Sequence, residues 1–180
     1  MHQSVMEFLR REVHAPEISG KSVLEVGSYD VNGSPRTVVV PMKPSSYLGV
    51  DFCAGPGVDR VLDASRLVES LGAEKFDVVL STEMLEHARD WKSAVSQMKR
   101  VLKPGGLLVV TTRGPGFPYH GYPHDYWRFT LVDFRVAFQD MLAVLQADPE
   151  APGVFLKARK PADWAEADLS LVAPAPAPSP

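Results

Sequence analysis

Short apolar segments alternate with turn-rich or amphipathic segments along the first two thirds of the chain, and this alternation constrains the fold most. Five of the apolar segments have the length of strands: residues 22–26, 47–50, 60–62, 76–81 and 107–111. Their apolar residues follow one another instead of alternating with polar ones, which is typical of parallel strands covered on both faces. Since helical segments separate several of them, the pattern predicts an α/β domain with helices on both faces of a sheet.

The last part of the domain predicts one helix and two further strands. Residues 131–145 place apolar side chains at helical spacing. Residues 143–148 and 154–160 flank the turn-forming residues 149–153 and predict a hairpin. Together with the five earlier strands, this gives a doubly wound, Rossmann-like, mostly parallel seven-stranded sheet with an antiparallel C-terminal strand.

The chain divides into three expected regions. Residues 1–20 predict an N-terminal helix or lid, residues 21–162 the α/β domain, and residues 163–180 an Ala/Pro-rich mobile tail. The alternating Ala-Pro run after Leu171 gives this tail no evident means of packing. Within the domain, residues 91–102 carry an apolar helical face, and we expect the lysines and arginine at its end to be solvated.

The composition limits the classes of partner. The 180 residues include 19 Lys and Arg against 22 Asp and Glu, a net charge of −3. Bulk charge therefore argues against a nucleic-acid partner. No segment approaches the ~18 consecutive apolar residues of a membrane helix, so we expect no membrane partner. The single cysteine, Cys53, excludes an internal disulfide framework and suits a reducing compartment, and we expect a soluble cytoplasmic protein.

The first predicted strand ends in an acidic residue and a glycine, Glu25 and Gly27, and the turn that follows contains Asn32-Gly33. In open parallel sheets, ligands bind beyond the carboxyl ends of the strands. A glycine at this point lets a ligand approach the backbone closely. For this segment alone, an ordinary strand-to-helix turn is the alternative.

Two more acidic residues follow the next two strands. Asp51 comes about 20 residues after the first loop, at a position where a carboxylate can accept hydrogen bonds from both hydroxyls of a ribose. Asp63 ends the third strand and can receive an adenine amino group. Each alone fits a common turn, but carboxylates at three successive strand ends predict a nucleoside-binding site.

These residues resemble the class I S-adenosylmethionine (SAM)-dependent methyltransferases, and the resemblance extends over residues 23–160. Residues 76–87 resemble the fourth strand of that family with its following loop, and residues 102–108 resemble the turn into its fifth strand. The resemblance implies SAM as cofactor and S-adenosylhomocysteine as product. It implies these cofactor-binding residues: Glu25, Gly27, Ser28, Tyr29, Gly33, Asp51, Phe52, Asp63, Ala64, Ser81, Thr82 and Glu83.

One departure from the family concerns the glycine loop. The family pattern is Glu-x-Gly-x-Gly-x-Gly, whereas this chain has Tyr29 and Val31 at the later glycine positions. We expect Asn32-Gly33 to make the turn and Tyr29 to cover the methionine end of the cofactor. Because Gly-x-Gly-x-x-Gly is absent, the pattern also argues against a nicotinamide dinucleotide.

Residues 114–130, which we call the acceptor loop, follow the fifth strand and are rich in glycine, proline, aromatic residues and histidine. Methyl transfer to a hydroxyl requires alignment and removal of one proton, and a neutral histidine suits that task. We therefore expect His124 or His120 as the base, with Asp125 as a further catalytic candidate. The alternative is a structural hydrogen-bond network of His124, Asp125 and Arg128 that anchors the loop to the helix beginning at Thr130.

The loop after the fourth strand contains Glu83, Glu86 and His87. Their spacing is similar to that in metal-assisted methyltransferases acting on catechols or on RNA ribose hydroxyls, where a later His-Asp pair completes the site. A divalent metal is therefore an alternative that the sequence does not favour. In the other interpretation, Glu83 contacts cofactor or backbone, Glu86 is solvated and His87 packs near the pocket mouth.

The sequence thus predicts a SAM-dependent methyltransferase that acts on an oxygen, in preference to a nitrogen, of a small-molecule metabolite. Few insertions separate the core elements, so we expect an open site that a homodimer or another partner completes. The alternatives are a non-catalytic or partner-dependent protein of the same fold, and a methyltransferase acting on RNA or protein.

Overall fold

The computed structural model describes residues 1–121 and 123–180. These described residues form nine strands. Seven of them make one sheet with the order β3-β2-β1-β4-β5-β8-β7, while β6 and β9 pair separately. The strands are β1 (Ser22–Val26), β2 (Ser46–Asp51), β3 (Arg60–Val61), β4 (Phe76–Thr82), β5 (Leu102–Arg113), β6 (Trp127–Arg128), β7 (Leu142–Ala147), β8 (Gly153–Arg159) and β9 (Ala175–Pro176).

The register of the large sheet places the carboxyl ends of its central strands at one edge. β1 pairs in parallel with β2 and β4, and β4 pairs in parallel with β5. β8 runs antiparallel to both β5 and β7. The predicted mostly parallel seven-stranded sheet is thereby confirmed, and its antiparallel strand lies between β5 and β7.

Helices cover both faces of this sheet. They are α1 (Gln3–Glu12), α2 (Ala15–Ile18), α3 (Arg36–Val39), α4 (Leu67–Leu71), α5 (Trp91–Val101) and α6 (Leu131–Ala137), with short 3-10 turns at Val40–Met42, Ala64–Arg66, Leu85–His87 and Leu169–Leu171. Asp90 begins α5 by accepting the Ser93 amide hydrogen, and Thr130 begins α6 in a reciprocal capping box with Asp133.

Consecutive strand residues enter different cores because side chains alternate across a strand. Leu24 of β1 packs with α4, α5 and α6, in a core that also holds Trp91 and Phe138. Its neighbour Val23 packs on the opposite face with α1 and α3. β1 is therefore buried on both sides, as its uninterrupted apolar segment predicted.

The predicted helix over residues 131–145 is wrong in its second half. α6 ends at Ala137, and β7 begins at Leu142. Residues 142–147 instead pair along the whole of their length with β8, which would otherwise be the edge of the sheet. Leu142 and Val144 face outward and are 68% and 71% exposed, so the helical spacing of apolar residues did not correspond to a buried face.

The segment expected to be an unpacked tail makes specific contacts with the domain. Leu169 and Val172 are buried in the core that contains α5 and α6. Beyond them, β9 pairs with β6. Proline is tolerated in β9 because β9 is an edge strand, where a backbone N–H that faces away from the neighbouring strand needs no partner in the sheet. The Ala-Pro composition therefore did not prevent packing, because the apolar residues before it anchor the segment.

The end of α5 also differs from expectation. Lys99 is fully buried, and its Nζ lies 2.7 Å from Asp140 Oδ1 and 2.6 Å from the carbonyl oxygen of Ala137. Asp140 accepts two further hydrogen bonds, from the Trp164 indole and the Ala167 amide. The lysine thus joins α5 to the C-terminal segment instead of facing solvent. Among the described residues, no helix has the length and apolar character needed to cross a membrane.

Replacing Lys99 with methionine should lower the free energy of unfolding by about 3 kcal/mol, since Asp140 is left buried without its cation. Urea unfolding of the variant measures this. Arg66→Met is the matched control, because its ion pair with Glu69 is exposed and its loss should cause no measurable change. Equal stability of Lys99→Met and the wild type would contradict the assigned role.

Candidate functional site

The loops after β1, β2, β3 and β4 meet above the carboxyl edge of the sheet and line a cleft. The volume of this cleft is about 790 Å³, and that value includes space open to solvent. The lining residues come from all four loops: Val26, Gly27, Tyr29, Val31, Val50, Asp51, Phe52, Cys53, Leu62, Asp63, Ala64, Glu83, Met84, His87 and Ala88. Its position between strands whose connections leave in opposite directions is the usual ligand site of this architecture.

Gly27 lines both the cleft and the space beside Glu25. Its φ is +82°, in the left-handed region, and a Cβ at this position would lie 2.4 Å from Met84 Cγ. The Gly27 and Ser28 amides both donate to the carbonyl of Val50, which fixes the loop against β2. Only glycine meets both requirements, the backbone conformation and the close approach of Met84.

Tyr29 stands where the family pattern has a glycine, and the opposite loop accommodates its ring. A Cβ on Gly55 would lie 2.1 Å from Tyr29 Cε2, so the ring occupies the space that a side chain at position 55 would need. The Asp30 amide donates to the carbonyl of Pro56, which holds the two loops together. The small residue that permits close contact is therefore in the loop between β2 and β3.

Asp51 is held by two backbone amides. Its Oδ2 accepts from the Tyr29 amide at 3.2 Å and its Oδ1 from the Cys53 amide at 3.3 Å. Oδ1 also accepts from the Cys53 thiol at 3.5 Å, whereas Oδ2 keeps a second acceptor position. Phe52 next to it is 57% exposed and also lines the cleft, so an apolar ring and an oriented carboxylate lie side by side.

Asp63 lines the cleft from the loop after β3. Its Oδ1 accepts from the amide and the hydroxyl of Ser65, which begins the 3-10 turn Ala64–Arg66. The side chain is exposed at the cleft, as expected for a residue that receives a ligand group.

A narrower extension of the cleft lies beneath the β1 loop. It is lined by Met1, Glu25, Gly27, Ser28, Tyr29, Val31, Asn32, Gly33, Thr82 and Glu83. The cofactor-binding residues implied by the resemblance are thus brought together in the cleft and this extension, with one exception. Ser81 is fully buried within β4 and lines neither part.

Glu25 carries an unusual charge state at the base of this extension. It is buried, and it accepts hydrogen bonds from the Tyr47 hydroxyl at 2.7 Å and the Ser34 hydroxyl at 3.4 Å. Burial raises the pKa of Glu25 from 4.5 to about 7, against the opposing effects of these bonds and of the Arg36 charge. The same pairing, together with burial, raises the pKa of Tyr47.

Glu83 is tied to a buried arginine. Its φ is +50°, and its carboxylate pairs with Arg113, which is fully buried and also contacts Asp148 at 2.8 Å. Burial alone would raise the pKa of Glu83, but the charge of Arg113 and contacts with His2 outweigh it, so the pKa is lowered. His2 donates its amide to Glu83 at 2.8 Å, which connects the N-terminal helix to the site.

The acceptor loop is organised by one arginine. All the N–H groups of Arg128 are used: two bonds of 2.6 Å go to Asp125, and the others go to the carbonyl oxygens of Phe117, Pro118 and Trp127. Asp125 is therefore part of a structural network, which is the alternative that the sequence left open. Tyr122 of this loop lies outside the described residues.

His120 is the loop residue that reaches the other candidate groups. Its Nδ1 lies 3.0 Å from Asp125 Oδ2, and its Nε2 lies 3.7 Å from Glu86 Oε1. Burial lowers the pKa of His120, but the Glu86 and Asp125 carboxylates outweigh it and the pKa is raised above 6.5. His124, in contrast, is exposed, and it contributes its carbonyl oxygen to His87 Nδ1 at 2.6 Å.

Glu86 is the least expected member of this group. It is fully buried instead of solvated, and its Oε2 accepts from the Thr112 hydroxyl at 2.8 Å. Its Oε1 has no hydrogen-bond partner in the part of the chain that the structure describes. Ligand atoms of Glu86, His87 and His120 all lie within 4.8 Å of one another. Glu83 is not in this group, because Arg113 holds it elsewhere.

Sequence reasoning missed Tyr47 and Arg113, the partners of two acidic residues in the site. Arg113 had a usable signal, since a single charged residue closes the long apolar strand β5. Tyr47 lies in β2 two residues before Gly49, which is the register partner of Glu25. It therefore lies on the same side of the sheet as Gly49. Finding it required the β1–β2 register, which the sequence alone did not provide.

The pKa of Glu25 predicts a pH dependence of stability. Unfolded, the carboxyl ionises near 4.5, whereas in the folded protein it stays protonated up to about 7. The folded state thus binds the extra proton, so this stabilising contribution is lost as pH rises from about 4.5 through about 7, by up to about 3 kcal/mol. Glu25→Gln should remove that loss.

Urea unfolding at pH 5 and pH 8 tests this prediction. The stability of Glu25→Gln relative to wild type should increase between the two pH values, while Asp163→Asn, at an exposed position, should show no such change. A constant difference between Glu25→Gln and wild type would show that Glu25 ionises normally.

Known proteins resemble this chain in both sequence and structure. A methyltransferase-domain family model matches residues 43–110. The ubiquinone biosynthesis O-methyltransferase of Pseudomonas entomophila (strain L48) is 32% identical over 109 residues, which cover 53% of this chain and 45% of the relative. The chain therefore spans about half the length of the curated relatives it matches.

Two solved structures share the fold. One is the 1,6-didemethyltoxoflavin N1-methyltransferase of Burkholderia thailandensis, solved with 1,6-didemethyltoxoflavin and S-adenosylhomocysteine; its TM-score is 0.69 at 17% identity, over 87% of this chain and 78% of that one. The other is a methyltransferase from Haloferax volcanii in complex with the Trm112 methyltransferase activator, with a TM-score of 0.67 at 16% identity, over 89% and 90%.

The sheet order, the strand-end carboxylates around the cleft and these sequence matches agree with one another. Residues 43–110 are similar to the methyltransferase-domain family, and the chain shares its fold with these SAM-dependent methyltransferases.

Proposed function

We propose that this protein is a SAM-dependent methyltransferase that transfers a methyl group to an oxygen of a small molecule. The observation that carries the proposal is the orientation of Asp51, whose carboxylate is fixed by the Tyr29 and Cys53 amides beside the exposed ring of Phe52. A carboxylate held in this way suits a ribose, and an apolar ring next to it suits a purine.

The cleft divides naturally between the two ends of such a cofactor. Asp51, Phe52, Asp63 and Ala64 surround its wide part, which fits the adenosine. The narrow extension contains acidic and small polar residues, which fit an amino-acid group: Glu25, Gly27, Ser28, Tyr29, Gly33, Thr82 and Glu83. Ser81 is left out of the proposed set because it is buried away from both parts.

The chemistry required of the protein is alignment and proton removal. When bound, SAM supplies a methyl group on a positively charged sulfur, which is already activated for displacement. His120 is our candidate for the proton acceptor, because its ring lies against the buried carboxylates of Glu86 and Asp125. Asp125 and Arg128 act as positioning residues, since their network fixes the loop that carries His120.

The oxygen acceptor and the small-molecule class rest on separate observations. The sequence relative named above is an O-methyltransferase, whereas one structural neighbour methylates nitrogen, so the sequence match favours oxygen. The net charge of −3 argues against nucleic acid. A cytoplasmic location remains part of the proposal. So does a homodimer or a partner that completes the open site, and one neighbour does form a complex with an activator.

Calorimetry with S-adenosylhomocysteine tests the cofactor. We expect wild type to bind it and not NAD, and Asp51→Asn to weaken binding about 10- to 100-fold, since hydrogen bonds to a charged group contribute about 1.5–3 kcal/mol. Asp163→Asn should bind like wild type. If wild type bound neither ligand, the non-catalytic alternative would be favoured; unchanged affinity in Asp51→Asn would reject the ribose assignment.

Turnover tests the base. With catechol as the probe acceptor and S-adenosylhomocysteine release as the readout, His120→Ala should lower the rate about 100-fold or more, while its affinity for S-adenosylhomocysteine stays unchanged. His124→Ala is the matched control and should retain most of the activity, because its exposed ring lies outside the carboxylate cluster. A larger loss in His124→Ala would reverse the assignment.

A divalent cation is a second way to activate the acceptor hydroxyl, and the unpaired Oε1 of Glu86 favours it. One carboxylate and two imidazoles suit Zn²⁺ or Mn²⁺. The His87 Nδ1 contact with the His124 carbonyl leaves Nε2 for such an ion, in the usual arrangement of a histidine ligand. When bound, a cation would lower the pKa of a coordinated hydroxyl. It would also occupy His120, so the two mechanisms exclude each other.

Titration with MnCl₂ by calorimetry distinguishes them. Binding in wild type that is lost in Glu86→Gln would support the cation, whereas Glu83→Gln should still bind because Glu83 lies outside the cluster. The absence of heat in wild type would leave His120 as the base.

A further inference from the structure

We propose that residues 169–177, which we call the strap, hold the acceptor loop against the turn Leu85–His87 and thereby set the position of His120. The strap begins at the 3-10 turn Leu169–Leu171 and ends just after β9. Its role in acceptor binding rests on the proposed function, whereas its role in ordering the loop does not.

Three backbone segments lie side by side at the point where the strap meets the loop. The Ala177 amide donates to the carbonyl of Tyr126 at 2.8 Å, and the Tyr126 amide donates to the carbonyl of Glu86 at 2.8 Å. Tyr126 is therefore held from both sides, and the strap forms the outer layer over the turn that carries Glu86. The contact continues in the pairing of β6 with β9, where Trp127 lies opposite Pro176 and Arg128 opposite Ala175.

The strap is anchored firmly enough to exert this constraint. Leu169 and Val172 are buried in the core that contains α5 and α6, and Asp168 begins the 3-10 turn by accepting from the Ser170 amide. Pro174 is also buried, so Val172 and Pro174 both face the protein. Two successive prolines flanking Ala175 restrict its backbone to extended conformations, which reduces the entropy lost on docking.

The residues that the strap contacts are those that organise His120. Tyr126 follows Asp125, which accepts the backbone amide of His120 at 2.9 Å and lies against its ring. Arg128 pairs with the strap through its backbone and with Asp125 through its side chain. Movement of the strap would thus be transmitted to the Asp125–His120 contact through two adjacent residues. Trp127 adds a bond from its indole to the carbonyl of Ala88, on the same side.

The strap meets the cofactor cleft only indirectly, because His87 and Ala88 line the cleft but no residue of the strap does. The strap should therefore affect the acceptor side without altering cofactor affinity. This separation distinguishes a positioning role from a general contribution to stability.

Ala177→Pro tests the proposal because it removes the one amide that donates to Tyr126. Loss of one such hydrogen bond should increase local opening about three- to tenfold. We expect hydrogen exchange at the Tyr126 and His120 amides to accelerate by that factor, measured by NMR on the full chain. Ala177→Gly, which keeps the N–H, and Ser179→Pro, which lies beyond the strap, are the matched controls and should exchange nearly like wild type.

The functional readout compares the KM for the acceptor with the Kd for S-adenosylhomocysteine. With catechol as the probe acceptor, Ala177→Pro should raise KM for catechol about three- to tenfold, while the Kd for S-adenosylhomocysteine changes less than twofold. Equal exchange rates in Ala177→Pro and wild type would overturn the proposal. So would acceleration spread evenly over all amides, since that would indicate global destabilisation. If no variant methylated catechol, the exchange data would still decide the strap's ordering role, and only the proposed function would be in question.

Discussion

The reversal of strand order between β1 and β4 is the constraint on which the rest of this structure depends. The connection from β1 leaves toward the face covered by α1 and α3, and the connection from β4 leaves toward the face covered by α5. No backbone can fill the space between two connections that diverge in this way, so a cleft opens at the carboxyl edge. Every candidate cofactor residue is near that edge because the parallel register places the strand ends there.

Charges around the cleft are fixed by buried arginines instead of by solvent. Arg113 spans Glu83 and Asp148, and Arg128 saturates its donors on Asp125 and nearby carbonyl oxygens. A buried ion pair of this kind contributes little net stability, but removing one partner is costly, so the geometry is strongly determined. Glu25 differs from these acids because, among the described residues, it is hydrogen-bonded to hydroxyl groups and is not paired directly with an arginine. Burial raises its pKa to about 7, so its carboxyl is more easily protonated. The cleft therefore combines oriented acids with one acid whose charge depends on its surroundings.

The sequence predicted the sheet, and it predicted a candidate site at the strand ends, because both follow from local patterns. Uninterrupted apolar segments determined the buried strands, and Gly27, Asp51 and Asp63 marked the strand ends. The sequence predicted a helix over residues 131–145 and a strand over 143–148, and it left the overlap at 143–145 undecided; pairing with the free edge of β8 decides for the strand β7. Lys99 is buried because it pairs with Asp140, which is 41 residues away in the chain. The Ala-Pro segment docks because β9 pairs with β6, a strand of the acceptor loop. Composition and spacing carry no information on such distant contacts.

The contact between Tyr29 and Gly55 has a consequence for sequence variation in this fold. The two positions share one volume, so the glycine that the family pattern places in the first loop has in effect been moved to the second. A side chain at 55 is compatible with this backbone only when residue 29 is small, and a bulky residue at 29 requires glycine at 55. Related chains should therefore have glycine at one of the two positions and a larger residue at the other. A search pattern restricted to the first loop will miss chains whose glycine is in the second loop.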